Sequence, residues 1–296
     1  MNIFIEGLQG SGKSTLLQKL SQKYPQYHVY REGDYCPVEL AWCSYMTEEE
    51  YRAALEKFTS LEAEIRQRTV VETGYGQSGM ESRHYIVEYT QIITDAPGFH
   101  RYMEQFEIYN GRKSLEELQR IVLARYENLP EAGAVESGQP GGIRPAVGVV
   151  AGAAPAAGTA GWFYECALFQ NLTEELILFH QLSDEEILDF YWKLAQVLAK
   201  KTFRVYYLYN DSVADSIRQI RRERSDDQGK ELWYPLMMAN LRESPYGKAH
   251  GYRDFEDLIE HLEHRQRLEM RIIGELFKDR AVILPAKQYE DAALDV

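Results

Sequence analysis

The chain has 296 residues, of which 45% are hydrophobic and 27% charged, and these values are ordinary for a soluble globular protein with an ample core. Its net charge of −13 argues against a nucleic-acid backbone as the main partner, because basic faces bind phosphate-rich surfaces. Three scattered cysteines, Cys36, Cys43 and Cys166, predict neither a disulfide framework nor a zinc site. No apolar run reaches membrane-spanning length and the first residues are typical of a strand rather than a signal peptide, so we expect a cytoplasmic protein without a membrane partner.

The first strand and the loop after it carry the most specific motif of the chain. Residues 2–5 form a short apolar run typical of a buried strand, and leucines at helical spacing after the loop predict a helix. Between them the sequence matches G-x-x-x-x-G-K-[ST], with the fixed positions taken by Gly7, Gly12, Lys13 and Ser14. Strand, glycine loop and helix in this order are the context that a P-loop, or Walker A motif, requires.

This motif predicts how the chain would bind a nucleotide. Glycines let backbone amides turn towards an anion, and the start of the next helix adds the positive end of its dipole. Lys13 supplies a mobile charge for the β- and γ-phosphates, and the Ser14 hydroxyl is placed to ligate Mg²⁺. We therefore expect ATP and Mg²⁺ as cofactors, with the nucleotide bound by Gly7, Gly10, Ser11, Gly12, Lys13, Ser14 and Thr15.

Further elements follow in chain order up to residue 128. Residues 28–30 predict a second strand, and residues 47–67 predict a helix capped by Thr47, with Glu50 three residues on. Residues 72–84 are rich enough in glycine and serine to predict a loop. Helical segments are then expected at 85–94, 97–109 and 114–128.

Residues 130–161 differ sharply in composition from the rest of the chain. They are almost all Gly, Ala, Pro and Val, without helical or strand periodicity. Such small side chains cannot bury enough apolar surface to offset the entropy of the backbone. We predict a disordered, low-complexity insertion on a surface loop, with a flexible lid as the alternative.

Regular structure is predicted again after this insertion. Strands are expected at 162–165, 203–211 and 281–286, and helices from about Leu172, from Ser183, from Ser212, at 230–242 and at 253–277. Strands separated by helices predict an α/β fold with a doubly wound parallel sheet. The loops at the carboxyl ends of its strands would carry the chemistry.

Three arginines follow the strand at 203–211. Arg218 and Arg222 are four residues apart and share a helix face, and Arg224 comes two residues later. Guanidinium groups bind phosphate oxygens in pairs and would stabilise a phosphoryl group during transfer. The plainer interpretation is a solvated basic face that pairs with the neighbouring acids.

This arginine pattern, followed by two acids and Gln-Gly, resembles the lid of the deoxynucleoside kinases, and thymidylate kinase is a related fold. The sequence LWYPLMMANLRESPY is similar to the leucine- and tyrosine-rich helix that follows that lid. The resemblance covers the glycine motif and residues 217–246 and is loose between them. It implies a P-loop NTPase fold with a five-stranded parallel sheet flanked by helices, MgATP as donor, and a helical lid, residues 212–229, that closes over the phosphates.

The same resemblance implies a catalytic base after the second strand, where the family has Glu-Pro-Val and then a tryptophan. Here Pro37, Val38 and Trp42 look similar, but Cys36 stands where the glutamate is expected. The carboxylates nearby are Glu32, Asp34 and Glu39. We expect either Glu32 or Asp34 to be the base, because an acceptor hydroxyl needs a carboxylate within hydrogen-bond reach.

A third stretch of resemblance is the strand that ends at Glu165, where the family has Glu-Arg-Ser. The family's glutamate helps to hold the metal, so Glu165 is expected to join Ser14 as a Mg²⁺ residue. Cys166 and Ala167 replace the other two residues. The missing arginine removes an expected contact to a nucleoside hydroxyl, which argues against an ordinary deoxynucleoside as the substrate.

The sequence thus predicts an ATP-dependent kinase with a small-molecule acceptor, and a homodimer is a possible assembly. The acceptor could be a nucleoside, a nucleotide or another hydroxylated metabolite, including a cationic antibiotic-like compound that the acidity favours. Its contacts would come from Glu88, Tyr89, Gln91, Asp95 and Arg112. The alternative is an ATP-binding switch or regulatory protein that hydrolyses ATP slowly, whereas a motor or transporter subunit has no support because no second nucleotide motif is present.

Overall fold

The computed structural model describes residues 1–75, 81–130 and 160–288. Its strands are β1 (Asn2–Gly7), β2 (Tyr27–Tyr30), β3 (Ser44–Met46), β4 (Thr69–Tyr75), β5 (Glu81–Val87), β6 (Gly161–Glu165), β7 (Phe203–Tyr209) and β8 (Ala281–Pro285). Five of them form one sheet in the order β2-β6-β1-β7-β8, and all neighbours in it run parallel. The expected α/β class and five-stranded parallel sheet are therefore confirmed.

The second sheet contradicts two predictions. Strands β3, β5 and β4 form an antiparallel sheet in that order, so residues 72–75 and 81–84 are strand rather than loop, and residues 85–87 are strand rather than helix. Val70 pairs with Ile86 and Thr69 with Val87 across β4 and β5, and these β-branched residues favour an extended chain. Most of the glycines and serines that suggested a loop belong to residues 76–80, which lie outside the described residues.

The helices largely follow their capping signals. They are α1 (Lys13–Lys23), α2 (Glu48–Lys57), α3 (Glu62–Gln67), α4 (Phe99–Glu104), α5 (Leu115–Glu127), α6 (Gln170–Leu178), α7 (Asp184–Leu198), α8 (Val213–Glu223), α9 (Trp233–Glu243), α10 (Pro245–His250) and α11 (Phe255–Ile272). Thr47 and Glu50 form the predicted capping box at α2. The helix expected over 47–67 is divided by a 3₁₀ turn at 59–61, and the one expected over 97–109 is shorter.

Helices cover both faces of the parallel sheet. Alternate residues of β1 point to opposite sides of it and so pack against different helices. Ile3 and Ile5 pack with leucines of α1 on one face. Phe4 packs on the other face in the largest apolar cluster, with side chains from α5, α6, α7 and α11. Glu6 follows Phe4 on this second face, so its carboxylate is carried into the interior.

The segment predicted as an insertion is described only at its two ends. Gly161 is not part of an insertion, because it pairs with Tyr27 as the first residue of β6. A Cβ atom at Gly161 would lie 2.2 Å from the carbonyl oxygen of Met1, so a larger residue does not fit there. Residues 131–159 lie outside the described residues. Within the described part of the chain, no helix combines the length and apolar character needed to cross a bilayer.

Candidate functional site

The glycine loop, residues 7–12, joins β1 to α1 at the carboxyl edge of the parallel sheet. Gly7, Gly10 and Gly12 have φ angles of 135°, 73° and 99°, a region that side chains with a Cβ rarely adopt. A Cβ at Gly7 would lie 2.6 Å from the Leu208 carbonyl oxygen, and one at Gly10 would lie 2.0 Å from Ile220. The loop therefore needs glycine at these positions, and it packs directly against α8.

Lys13 begins α1 and turns its ammonium group back over the loop. Its Nζ donates to the carbonyl oxygens of Gly7 and Leu8 and to Oε1 of Gln170, at 2.9 Å in each case. All three protons of the ammonium group are thus satisfied although the residue is buried. The charge is held at the mouth of the glycine loop, where a phosphate bound by the loop amides would meet it.

The two residues predicted to hold a metal ion are in contact. The Ser14 hydroxyl donates to Oε1 of Glu165 at 2.5 Å, because β6 ends beside the start of α1. A hydroxyl and a carboxylate are oxygen ligands of the kind that Mg²⁺ prefers, with water and phosphate oxygens completing its shell. Among the described residues, no group of three His, Cys, Asp or Glu side chains is arranged as a metal site of its own.

One cavity of about 1120 Å³ connects the glycine loop with the polar residues farther along the sheet edge. Its walls include the following predicted site residues: Gly10, Gly12, Lys13, Ser14, Thr15, Glu32, Glu165 and Arg224. Gly7 and Ser11 do not line the cavity; Ser11 is buried beneath the loop, and its hydroxyl has no hydrogen-bond partner among the described residues. Three of the four fixed positions of the motif, Gly12, Lys13 and Ser14, therefore line the cavity.

The structure separates the two candidates for the base. Glu32 lines the cavity, and its Oε1 accepts from Gln170 Nε2 at 2.9 Å and from Trp42 Nε1 at 3.3 Å. Asp34 does not line it, because its carboxylate accepts from the Arg31 amide within its own turn at 3.2 Å. Of the two candidates, Glu32 is therefore the one that an acceptor in the cavity would reach.

The arginines of the expected lid, residues 212–229, lie at different distances from the cavity. Arg224 lines it at the end of α8, with its guanidinium 5.5 Å from the centre of the Trp233 ring. Arg218 pairs with Asp215 at 3.0 Å on the outer side of the helix and does not line the cavity. Arg222 donates to the Arg218 carbonyl oxygen and is also outside the cavity wall. The structure thus brings one member of the trio to the glycine loop.

A polar group of six residues forms another part of the cavity wall, and we call it the Arg112 cluster. Its members are Tyr89, Glu104, Glu107, Asn110, Arg112 and Glu175. Arg112 bonds to Glu104 at 2.7 Å and to Glu107 at 3.1 Å, and the Tyr89 hydroxyl donates to Glu107 at 2.5 Å. Burial raises the pKa of the Glu107 carboxyl, and the hydrogen bond from Tyr89 and the positive charge of Arg112 oppose this rise.

Glu175 fixes the loop that carries this cluster. Its carboxylate accepts from the amides of Asn110 and Gly111 at 2.5 and 2.9 Å, and both residues have positive φ angles. Tyr89 and Arg112 were expected to contact an acceptor, and both line the cavity. Glu88, which was also expected there, instead accepts from the Tyr35 amide and pairs with Arg68.

Two buried groups behind the glycine loop escaped sequence reasoning. Glu6 accepts from the amides of Leu168 and Phe169, and burial raises the pKa of its carboxyl to about 8. Arg265 is fully buried in α11 and donates to Gln9 of the loop at 3.0 Å. An acid inside an apolar strand and an Arg-x-x-x-Glu pair in α11 were the available signals.

Arg265 also sets the charge of a carboxylate at the cavity wall. It pairs with Glu174 and with Glu269, the latter at 3.1 Å, while His261 bonds to Glu174 at 2.6 Å. Although burial opposes it, His261 and Arg265 lower the pKa of Glu174 to about 2. These buried charges are paired, which is the condition for keeping them in the interior.

Gln170 was likewise missed by the sequence analysis. It begins α6, is 5% exposed and lies between Lys13 and Glu32, bonded to both. The resemblance to the kinase family ends at Cys166 and Ala167, where the expected residues are absent, so it assigns no role to Gln170. A polar side chain at the start of α6, directly after the apolar residues Leu168 and Phe169, was the only signal that it gave.

No model of a known protein family matches this chain, and no curated protein matches it either. The resemblance to the deoxynucleoside kinases, which depends on the glycine motif and residues 217–246, therefore stays a prediction. What is observed is one cavity that joins the glycine loop, the Ser14–Glu165 pair, Glu32 and the Arg112 cluster.

Proposed function

We propose that this chain is an ATP-dependent phosphotransferase that acts on a small hydroxylated acceptor. The observation that carries the proposal is the single cavity that Lys13, Ser14, Glu32 and Glu165 all line. A kinase must hold a nucleotide's phosphates and an acceptor hydroxyl in one water-limited space, since positioning supplies most of the acceleration of phosphoryl transfer.

The residues divide into donor-side and acceptor-side roles. The amides of the glycine loop and Lys13 would bind the phosphates, and Ser14 with Glu165 would hold Mg²⁺, which supplies charge neutralisation when bound. Glu32 would accept the proton of the acceptor hydroxyl as that oxygen bonds to phosphorus and the bond to the departing ADP oxygen breaks. Arg224 would stabilise the charge of the transferring group.

The Arg112 cluster supports a polar acceptor. It presents tyrosine, amide, carboxylate and guanidinium groups to the same cavity, and these bind hydroxyl and amine groups by hydrogen bonds. Glu104 and Glu107 flank a single arginine, so the cluster carries a net negative charge. Hydroxylated acceptors, neutral or cationic, fit this wall better than anionic ones.

The test is transfer of label from γ-³²P-ATP into an organic product in a metabolite extract. The wild-type protein should give a labelled compound other than phosphate, and Glu32→Gln should lower its yield by at least about 100-fold, the usual contribution of a general base. Asp34→Asn is the matched control and should keep the wild-type yield, because Asp34 lies outside the cavity wall. Release of free phosphate alone, unchanged by the extract, would favour the slow ATP-hydrolysing switch.

A further inference from the structure

We infer that Gln170 is a positioning residue that couples nucleotide binding at Lys13 to the orientation of Glu32 and Trp42. The inference rests on the proposed function, because it assigns Lys13 to the nucleotide and Glu32 to the acceptor. Three hydrogen bonds link Lys13 to Gln170, Gln170 to Glu32 and Glu32 to Trp42, and they measure 2.9, 2.9 and 3.3 Å.

The orientation of the Gln170 amide is fixed by its two neighbours. An ammonium group only donates and an ionised carboxylate only accepts, so Oε1 must face Lys13 and Nε2 must face Glu32. In the reversed amide, the donor Nε2 would face the Lys13 ammonium group and the acceptor Oε1 would face the Glu32 carboxylate. The backbone before Gln170 is also held, because Glu6 accepts from the amides of Leu168 and Phe169.

Gln170 is the partner that Lys13 can release most easily. All three protons of the Lys13 ammonium group have protein acceptors, so a phosphate oxygen would have to replace at least one of them. Two of these acceptors are backbone carbonyls of Gly7 and Leu8, which the close packing of the glycine loop against Leu208 and Ile220 holds in place. The Gln170 side chain can rotate, so its hydrogen bond to Lys13 is the one that a phosphate oxygen would replace.

The change then reaches Trp42 through Glu32. Oε1 of Glu32 accepts hydrogen bonds from both Gln170 and Trp42. Movement of the Gln170 amide therefore changes the position of this oxygen and, with it, the hydrogen bond that the Trp42 indole donates. Trp42 is 48% exposed, so its ring position depends on few contacts, and the hydrogen bond to Glu32 is one of them. Nucleotide binding would thereby free a lone pair on Glu32 for the acceptor hydroxyl.

The test uses the full chain labelled with 5-fluorotryptophan, whose four tryptophans give four ¹⁹F resonances. The Trp42 resonance is the one that disappears in Trp42→Phe. Saturation with MgADP should move it in the wild-type protein. In Gln170→Met, which has no hydrogen-bonding amide, the movement should fall to less than half, while calorimetry finds MgADP affinity changed by less than about tenfold.

Two further variants separate coupling from a structural role. Gln170→Glu keeps an acceptor for Lys13 but has no donor for Glu32, so it should silence the Trp42 response as Gln170→Met does. Gln219→Met makes the same chemical change elsewhere in the cavity wall, where Gln219 bonds to Glu223, and should keep the full response. Unchanged resonances of Trp162 and Trp192 in each variant show that the fold is intact.

The possible results distinguish failure of the coupling through Gln170 from failure of the proposed function. The coupling would be overturned if the Trp42 resonance moved equally in the wild-type protein and in both Gln170 variants. It would also be overturned if the wild-type protein bound MgADP without any movement of this resonance. Neither result would count against nucleotide binding. Failure of the wild-type protein to bind MgADP by calorimetry would overturn the proposed function, and the coupling with it.

Discussion

The glycine loop consists of consecutive residues between one strand and one helix, whereas the Arg112 cluster combines side chains from residues 89–112 with Glu175 of a distant helix. The loop is tightly packed, since a Cβ atom at Gly7 or Gly10 would clash with β7 or α8. The cluster is held by side-chain hydrogen bonds and an ion-pair network instead. We therefore expect the two regions to respond differently to substitution, the first through nucleotide affinity and the second through acceptor use.

The largest effect is expected at the ion pair that supports the segment bearing Glu32 and Trp42. Arg125 bonds to Glu72 at 2.6 Å and to the Cys36 carbonyl oxygen at 2.6 Å, and both charged side chains are buried. Arg125→Met leaves the Glu72 carboxylate without its cation and should lower the free energy of unfolding by about 3–5 kcal/mol. Urea denaturation measures this loss.

Arg120→Met is the matched control, because Arg120 lies exposed on the same helix α5. It should change the free energy of unfolding by less than about 0.5 kcal/mol. A loss of similar size in both variants would show that the buried pair does not support this segment.

The second effect tests the rigidity of the glycine loop. Gly7→Ala adds a Cβ at a φ angle of 135°, only 2.6 Å from the Leu208 carbonyl oxygen. It should cost about 2–3 kcal/mol of stability, from strain and displaced backbone, and should weaken MgADP binding by more than tenfold. Gly98→Ala has a φ angle of 76° but no neighbour within 4 Å, so it should cost about 1 kcal/mol and leave MgADP binding unchanged. Equal MgADP affinities in the two variants would contradict a rigid loop.

The third effect should separate the cluster from the loop. Arg112→Met removes the bonds to Glu104 and Glu107 and should cost about 1–2 kcal/mol, because Arg112 is 22% exposed and water replaces part of the lost bonding. Phosphorylation of the acceptor should be lost while MgADP affinity, measured by calorimetry, stays at the wild-type value. Arg101→Met on the exposed face of α4 is the control and should alter neither. Weaker MgADP binding in Arg112→Met would show that the regions are not separate.

The smallest effect is a pH dependence that originates behind the glycine loop. The folded pKa of Glu6 is raised from 4.5 to about 8, so its stabilising protonated form is fully present below pH 4.5 and is lost as the pH rises through 8. The cost of Glu6→Gln in free energy of unfolding should therefore be larger at pH 5.5 than at pH 8, by at least about 1 kcal/mol, because the unfolded carboxyl is ionised throughout this range while the folded one is not.

The control for this pH dependence is Glu49→Gln, an exposed carboxylate in the first turn of α2. Its cost should be the same at both pH values. A cost of Glu6→Gln that stays constant, or that grows towards pH 8, would mean that Glu6 is ionised in the folded protein at pH 5.5.

The same contrast explains how much the sequence could predict. The parallel sheet and the glycine loop were predictable, because strand, loop and helix follow one another and each has a local pattern. Gly10 could not be linked to Ile220 of α8, nor Gln170 to Lys13, because these contacts depend on how distant segments pack. Strands β4 and β5 were misread because their β-branched runs are short and because glycines and serines are frequent in this part of the sequence.

The Arg112 cluster shows the same limit within the candidate site. Tyr89 and Arg112 were expected to contact an acceptor, but Glu107 and Glu175 carry no motif and gain their roles only through buried hydrogen bonds. The choice of Glu32 over Asp34 also required the structure, since both follow the same strand and only one turns into the cavity.

Calorimetric titration with MgADP tests the central claim most directly, because the glycine loop and Lys13 are assigned to a nucleotide's phosphates. The wild-type chain should bind one MgADP, and Lys13→Met should weaken binding at least about tenfold, since a hydrogen bond to a charged group is worth about 1.5–3 kcal/mol. A wild-type chain that shows no binding, or a Lys13→Met chain that binds as tightly as wild type, would contradict the account.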